Sequence, residues 1–178
     1  MKYRQQETEH EVTLEPVVPA TASVVLLHGL GADGWDFVPI VEELRLPEDL
    51  AVRFVFPHAP LRPVTVNAGY VMRAWYDIRS FTPEGRADAA GLAESVARVN
   101  AYLQTEKARG VAASRIVLAG FSQGGAVALS AGLRFHERLA GLLALSTYLP
   151  FPKRLAAERS VANSGLPILM CHGRMDPL

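Results

Sequence analysis

Cysteine is almost missing from this chain of 178 residues, and the single one, Cys171, excludes an intramolecular disulfide and argues against a cysteine-based metal cluster. It stands in the apolar run Pro167-Ile168-Leu169-Met170-Cys171, where a buried small hydrophobe is expected rather than a reactive thiol. No stretch approaches the roughly 20 apolar residues of a membrane helix. The polar residues Met1 to Glu11 lack the apolar centre of a secretory signal. The expected compartment is the cytoplasm, with no membrane span. Charge of one sign is equally lacking: 18 Lys and Arg face 18 Asp and Glu. No run of basic residues forms a stripe, so no nucleic-acid partner is expected. There is no internal repeat and no linker composition. A chain of this length buries a sufficient core of its own, which predicts one domain over 1–178 with a polar leader at 1–10.

What the sequence does contain is an alternation. Short apolar runs bounded by Gly and Pro recur at Ser23 to Leu27, Val52 to Phe56, Arg115 to Ala119, Gly141 to Leu145 and Pro167 to Cys171. Most show no polar alternation, as expected of strands covered on both faces. Glu11 to Glu15 alternates better and reads as an antiparallel edge strand. Between the runs, Ala89, Leu92, Val96, Val99 and Leu103 repeat at helical spacing and predict a helix over Asp88 to Lys107. Shorter helices are expected at Trp35 to Leu44, Gly125 to Phe135 and Lys153 to Val161. The pattern predicts an α/β fold with a mostly parallel central sheet flanked by helices. Residues 57–85 depart from it: Pro57, Pro60, Pro63 and Pro83 break regular elements, and Trp75, Tyr76 and Phe81 supply aromatic surface. A long irregular segment in a compact domain is usually functional. It reads as a wall or lid over a substrate pocket, with core packing of those aromatics as the equal alternative.

Gly120-Phe121-Ser122-Gln123-Gly124 matches G-x-S-x-G, a pattern that chance alone puts in about one chain in ten of this length. Its context adds the weight. An apolar run, Ile116 to Ala119, leads in, and a helical run, Gly125 to Leu129, leads out: the strand, sharp turn and helix of a nucleophile elbow. Glycines on either side relieve the crowding that so tight a turn creates. The helix that follows aims its N-terminal dipole at negative charge forming on a substrate oxygen. The bland alternative is a Gly/Ser-rich turn without chemistry. A second signal, His28-Gly29-Leu30-Gly31, follows the first central strand, where the N–H of Leu30 joins that of Gln123 as an oxyanion donor. For His28 itself the expected role is a hydrogen bond to the loop. The third signal, Cys171-His172-Gly173-Arg174-Met175-Asp176-Pro177, puts Asp176 in a loop after a strand beyond the nucleophile. That is the slot of the triad acid; Asp33, Asp36 and Asp77 precede Ser122 and fit it poorly.

Together GFSQGG at 120–125, HGLG at 28–31, AWYDI at 74–78 and HGRMDP at 172–177 resemble the phospholipase/carboxylesterase family of the α/β-hydrolase superfamily, which includes acyl-protein thioesterases. The resemblance runs from about Val24 to the last residue. It implies a serine carboxylesterase that acts on a small ester or an acylated substrate, thioesters among them, with Ser122 as nucleophile and Asp176 as triad acid. It implies oxyanion amides at Leu30 and Gln123, a pocket about Trp75, Tyr76 and Phe81, and neither metal nor organic cofactor. It also allows a homodimer.

The family pattern continues past its acid through another strand and helix and brings its catalytic histidine there, whereas this sequence ends at Leu178. The expectation is an α/β-hydrolase fold lacking its last strand and helix, with activity impaired for want of the base. His28, His58 and His172 are the substitutes on the same rim. The alternative function is a non-catalytic remnant that binds acyl ligands or self-associates through an apolar edge at Pro167 to Cys171.

Overall fold

The computed structural model describes residues 3–47, 49–80, 82 and 88–176. Seven strands form one sheet in the order β1-β2-β4-β3-β7-β8-β9. They are β1 (Tyr3–Glu7), β2 (Glu11–Pro16), β3 (Ala22–Leu27), β4 (Val52–Pro57), β7 (Ile116–Phe121), β8 (Gly141–Leu145) and β9 (Ile168–Cys171). The first two pairings are antiparallel and the remaining four are parallel. The register aligns Val25 with Leu118, and Leu27 with Gly120, so β3 and β7 end side by side. The helices are α1 (Ile40–Glu43), α2 (Ala89–Ala108), α3 (Gln123–Gly132) and α4 (Pro152–Glu158). Among the described residues no helix is long and apolar enough to cross a membrane.

Successive strand residues feed opposite cores, which explains runs that show no polar alternation. Val25, Leu27, Ile116 and Leu118 pack with Leu92, Val99 and Leu103 of α2 and with α3. Leu26 and Ala119 point the other way, toward Val12, Leu14, Val41, Phe54 and Phe56. The expected helix over Asp88 to Lys107 is α2, capped by the Asp88 carboxylate, which accepts the Gly91 N–H. At the far end of α2, buried Glu106 accepts the Ser23 hydroxyl of β3 at 2.6 Å and the Arg53 Nε–H of β4 at 3.1 Å. Arg53 also pairs with Glu15 of β2. One helix end is thereby tied to three strands.

Five expectations change. Residues 3–7 of the supposed leader form the edge strand β1, and β2 is antiparallel but lies one place in from the edge. Apart from Tyr3, β1 exposes its side chains; its backbone ladder holds it, which composition does not reveal. The 57–85 segment contains a hairpin, β5 (Leu61–Val64) with β6 (Tyr70–Arg73). Pro63 is tolerated there because a two-stranded hairpin offers edge positions that need no N–H. The helix expected at Trp35 to Leu44 is split by Pro39 into a 3-10 turn, Gly34–Phe37, and the short α1. Cys171 is exposed. It lies on β9, the outermost parallel strand, whose residues are all exposed because no described element covers their faces.

Replacing Glu106 with Leu should lower the free energy of unfolding by about 3 kcal/mol, because it leaves the buried Ser23 hydroxyl and Arg53 Nε–H without their acceptor. Urea titration measures this, and a loss below about 1 kcal/mol would mean that Glu15 and Glu11 satisfy Arg53 alone.

Candidate active site

Ser122 occupies the turn between β7 and α3 with φ 51° and ψ −118°, a region that side-chain-bearing residues rarely enter. Three ties hold that conformation. The Ser122 N–H donates to Leu145 O at 2.9 Å. The Ser122 carbonyl accepts from the Thr147 hydroxyl at 2.6 Å and from the Ala126 N–H at 3.1 Å. The side chain makes no capping bond to α3, so the hydroxyl stays available at the sheet's C-terminal rim.

The flanking glycines are required by contact. A Cβ on Gly120 would lie 2.4 Å from the Gly124 backbone, and one on Gly124 would lie 2.4 Å from the carbonyl oxygens of both Leu27 and His28. Real Cβ atoms do not approach backbone so closely, so the strand β3, the elbow and α3 meet only through glycine. Gly29 closes the same corner: a Cβ there would stand 3.5 Å from the Ser122 Cβ. The loop after β3 thus passes directly beside the serine.

Leu30 follows on that loop. Among the described residues no backbone acceptor receives its N–H, and Gln123, as the first residue of α3, has an N–H that its own helix cannot satisfy. The loop is shaped by bonds that follow Leu30. Gly31, at φ 78°, donates its N–H to Arg73 O at 2.9 Å, and Asp33 accepts the Trp35 N–H at 2.8 Å.

Both buried histidines work as acceptors in this scaffold. His28 Nε2 accepts the Ala59 N–H at 3.0 Å while Nδ1 faces Gly29 O at 2.7 Å, so the proton sits on Nδ1. His58 Nδ1 accepts the Gly34 N–H at 3.0 Å. Burial lowers both pKa values from 6.5, and the Arg73 charge adds to the lowering of each. Neutral imidazole is the form these bonds need.

Trp75 and Tyr76 are fully buried within the larger core. Of the two roles open to these aromatics, core packing is the one observed, and they reach the site from behind rather than as an exposed wall. Trp75 Nε1–H donates to His28 O at 2.9 Å and its backbone N–H donates to Gln123 Oε1 at 2.8 Å. Gln123 Nε2–H donates to Tyr76 O at 2.7 Å. Phe81 lies outside the described residues. Sequence reasoning overlooked Phe121 and Phe37, whose rings pack 5.8 Å apart beside Gly29. Phe121 is 37% exposed and gives the rim by Ser122 an apolar wall; its place as the variable residue of G-x-S-x-G carried no signal of that.

Asp176 follows β9 in a turn closed by its N–H donating to Gly173 O at 3.0 Å. Its carboxylate lies 3.5 Å from His172 Nε2. β8 lies between β7, which leads into the elbow, and β9, which leads into the Asp176 turn. The serine and the two amides follow β7 and β3, and the carboxylate follows β9, at the same end of the parallel strands. Among the described residues no group of three or more His, Cys, Asp or Glu is arranged to hold a metal ion.

A model of a family described as Phospholipase/Carboxylesterase matches residues 8–178. The acyl-protein thioesterase 1 of Yarrowia lipolytica is 39% identical over 158 residues, which are 88% of this chain and 70% of that protein. That of Schizosaccharomyces pombe is 37% identical over 171 residues, 95% of this chain and 75% of that protein. Among solved structures, Arabidopsis thaliana SOBER1 superposes with a TM-score of 0.80 at 33% identity, covering 85% of this chain and 73% of that one. Zea mays acyl-protein thioesterase 2 superposes with a TM-score of 0.76 at 28% identity, covering 92% and 75%.

Two outcomes follow from the geometry. Gly124→Ala should destabilise the fold by about 3 kcal/mol, the upper end of overpacking costs, because backbone rather than a side chain must move. Gly173→Ala, whose Cβ would meet nothing nearer than 3.5 Å, should not; equal unfolding midpoints would refute the close approach. The second concerns pH. His28 and His58 have folded pKa values below the unfolded value of 6.5, so below pH 6.5 the unfolded chain binds more protons and stability is lost as the pH is lowered. His28→Gln should flatten that slope between pH 7 and 5.5 in denaturant titrations; an unchanged slope would clear His28 of any part in it.

Proposed function

This chain belongs to the phospholipase/carboxylesterase family, a family of hydrolases, and from that premise we propose that it hydrolyses carboxylic esters or acyl thioesters through an acyl-enzyme on Ser122. The observation that carries the reading is the strained backbone of Ser122, held at φ 51°, whose hydroxyl makes no capping bond and which stands beside two amides that no backbone acceptor among the described residues receives. Strain of this kind costs of order 1–3 kcal/mol and persists where surrounding structure enforces it. Here the enforcing contacts are the glycine corner and the bonds from Leu145 and Thr147.

In this mechanism Ser122 Oγ attacks the acyl carbonyl carbon as its proton passes to a base, and the carbonyl oxygen, now negative, is held by the N–H groups of Leu30 and Gln123. The dipole of α3 adds to that stabilisation. The tetrahedral species collapses by expelling the alcohol or thiol, which takes the proton. Water then repeats the sequence on the acyl-enzyme and releases the acid. Asp176 acts as the triad carboxylate, orienting an imidazole and stabilising its charged form. His28 is unsuited to be that base, because both ring nitrogens are engaged in loop bonds. The aromatic rim of Phe121 and Phe37 suits the apolar part of an acyl group. Acylated proteins are the finer substrate class we propose, since the curated relatives are acyl-protein thioesterases.

The test compares hydrolysis of a short-chain nitrophenyl ester and of an acyl thioester by the chain and by Ser122→Ala. Loss of a serine nucleophile removes up to about 10⁶-fold in kcat, so the expected result is turnover confined to the chain with serine. Equal rates in both proteins would remove Ser122 from the chemistry.

A further inference from the structure

The two amides proposed to bind the oxyanion come from segments 93 positions apart in the sequence, and no secondary-structure element contains both. Such donors act only if they are held together within about 0.5 Å of the productive geometry. Something must therefore set the distance between the loop after β3 and the first turn of α3.

The segment Arg73 to Tyr76 touches both. The Arg73 carbonyl accepts the Gly31 N–H at 2.9 Å, one residue after Leu30. The Trp75 indole N–H donates to His28 O at 2.9 Å, two residues before it. The Trp75 backbone N–H and the Tyr76 carbonyl take the two ends of the Gln123 side-chain amide, at 2.8 and 2.7 Å. The Ser95 hydroxyl of α2 donates to the Trp75 carbonyl, and Arg73 and Ala74 bond to Ala59 O and Pro60 O at 2.9 and 3.0 Å. Every polar atom of the Gln123 amide that these bonds use is buried, the residue being 3% exposed. A buried polar group that loses its partner costs more than the bond contributes, so neither end of this bridge can loosen without a penalty.

We propose that the Gln123 side chain and Trp75 are positioning residues: they form a brace that clamps the Leu30 loop to the nucleophile turn and so sets the oxyanion hole. This rests on the reading of Ser122 as the nucleophile. Gln123 then has two separate tasks. Its backbone N–H faces the substrate, while its side chain points into the core and keeps that N–H aimed. The donor–acceptor pattern dictates the residue type. The bridge needs one acceptor and one donor in a fixed plane, which a primary amide supplies and an ionised carboxylate does not. A protonated carboxylic acid does supply both: its carbonyl accepts from Trp75 and its O–H donates to Tyr76 O.

The experiment uses the chain with Gln123→Met and Gln123→Glu. Hydrogen exchange followed by NMR reads the Gly31 amide and the Trp75 indole and backbone N–H groups, with the Val25 and Leu118 amides as internal standards. The expected result for Gln123→Met is exchange at least tenfold faster at the brace relative to the standards, together with a kcat for nitrophenyl ester at least tenfold lower and KM within twofold. In Gln123→Glu both the protection and the ratio of kcat to that of the unaltered chain should recover as pH falls and the carboxyl protonates. Unchanged brace exchange, a rise in KM alone, or a Glu-to-Gln ratio that is flat with pH would overturn the proposal. If the unaltered chain shows no turnover beyond Ser122→Ala, the acyl-enzyme reading fails while exchange still decides the brace. If Gln123→Met does not fold, the pH dependence of exchange in Gln123→Glu decides it.

Discussion

The site depends on one steric constraint: three backbones meet closer than side chains permit. The end of β3, the turn at Ser122 and the first turn of α3 approach so nearly that a single methyl on Gly124 would lie 2.4 Å from two carbonyl oxygens. This approach holds Ser122 in its unfavourable φ and brings the loop of Leu30 beside it. In a purely electrostatic description the oxyanion hole is a pair of dipoles. The one proposed here is first a matter of volume, because its two segments approach each other only where glycine lets the chain pass.

Close packing of loops creates a second problem, which is the polar backbone carried inward with them. The structure answers it with side chains that match each buried group. His28 and His58 accept N–H groups of neighbouring loops, the Trp75 indole donates to a carbonyl, and Gln123 bridges a donor and an acceptor. The same desolvation that makes these bonds obligatory lowers the histidine pKa values, so the neutral rings are kept as acceptors. At the opposite end of the sheet the solution is ionic: Glu106 and Arg53 lock α2 to β3 and β4. His28, Trp75 and Gln123 hold the rim through neutral bonds of fixed direction, whereas the base is held by charge.

How much of this could be read beforehand differs from element to element. Apolar runs at 23–27, 116–119 and 141–145 and the helical spacing over 88–107 correspond to β3, β7, β8 and α2 because burial on both faces leaves a compositional mark. The edge strand β1 leaves none, since a ladder made of backbone bonds is indifferent to polar side chains. The hairpin β5–β6 was hidden by Pro63, which forbids a central strand but not a two-stranded arm. Cys171 reads as buried from its neighbours, yet strand order leaves β9 at the sheet's outer side, where apolar residues stand exposed.

At the site the division follows the range of the interactions. The motif around Ser122 is local: strand, glycine, serine, glycine and helix are consecutive, so their spacing alone specifies a strained turn, and the elbow and the loop at 28–31 are legible in consecutive residues. Nothing in that spacing says what Trp75, Tyr76 or the Gln123 side chain touch. Those contacts join positions 47 or more residues apart, and only the folding of the chain brings them into hydrogen-bond range. Tertiary structure therefore decided that the aromatics lie behind the site, that His28 is an acceptor within the loops, and that β8 lies between the strand leading into the elbow and the strand leading into Asp176. The physical reason is that local sterics are written in consecutive residues, whereas satisfying a buried polar group depends on whichever distant atom the packed core delivers to it.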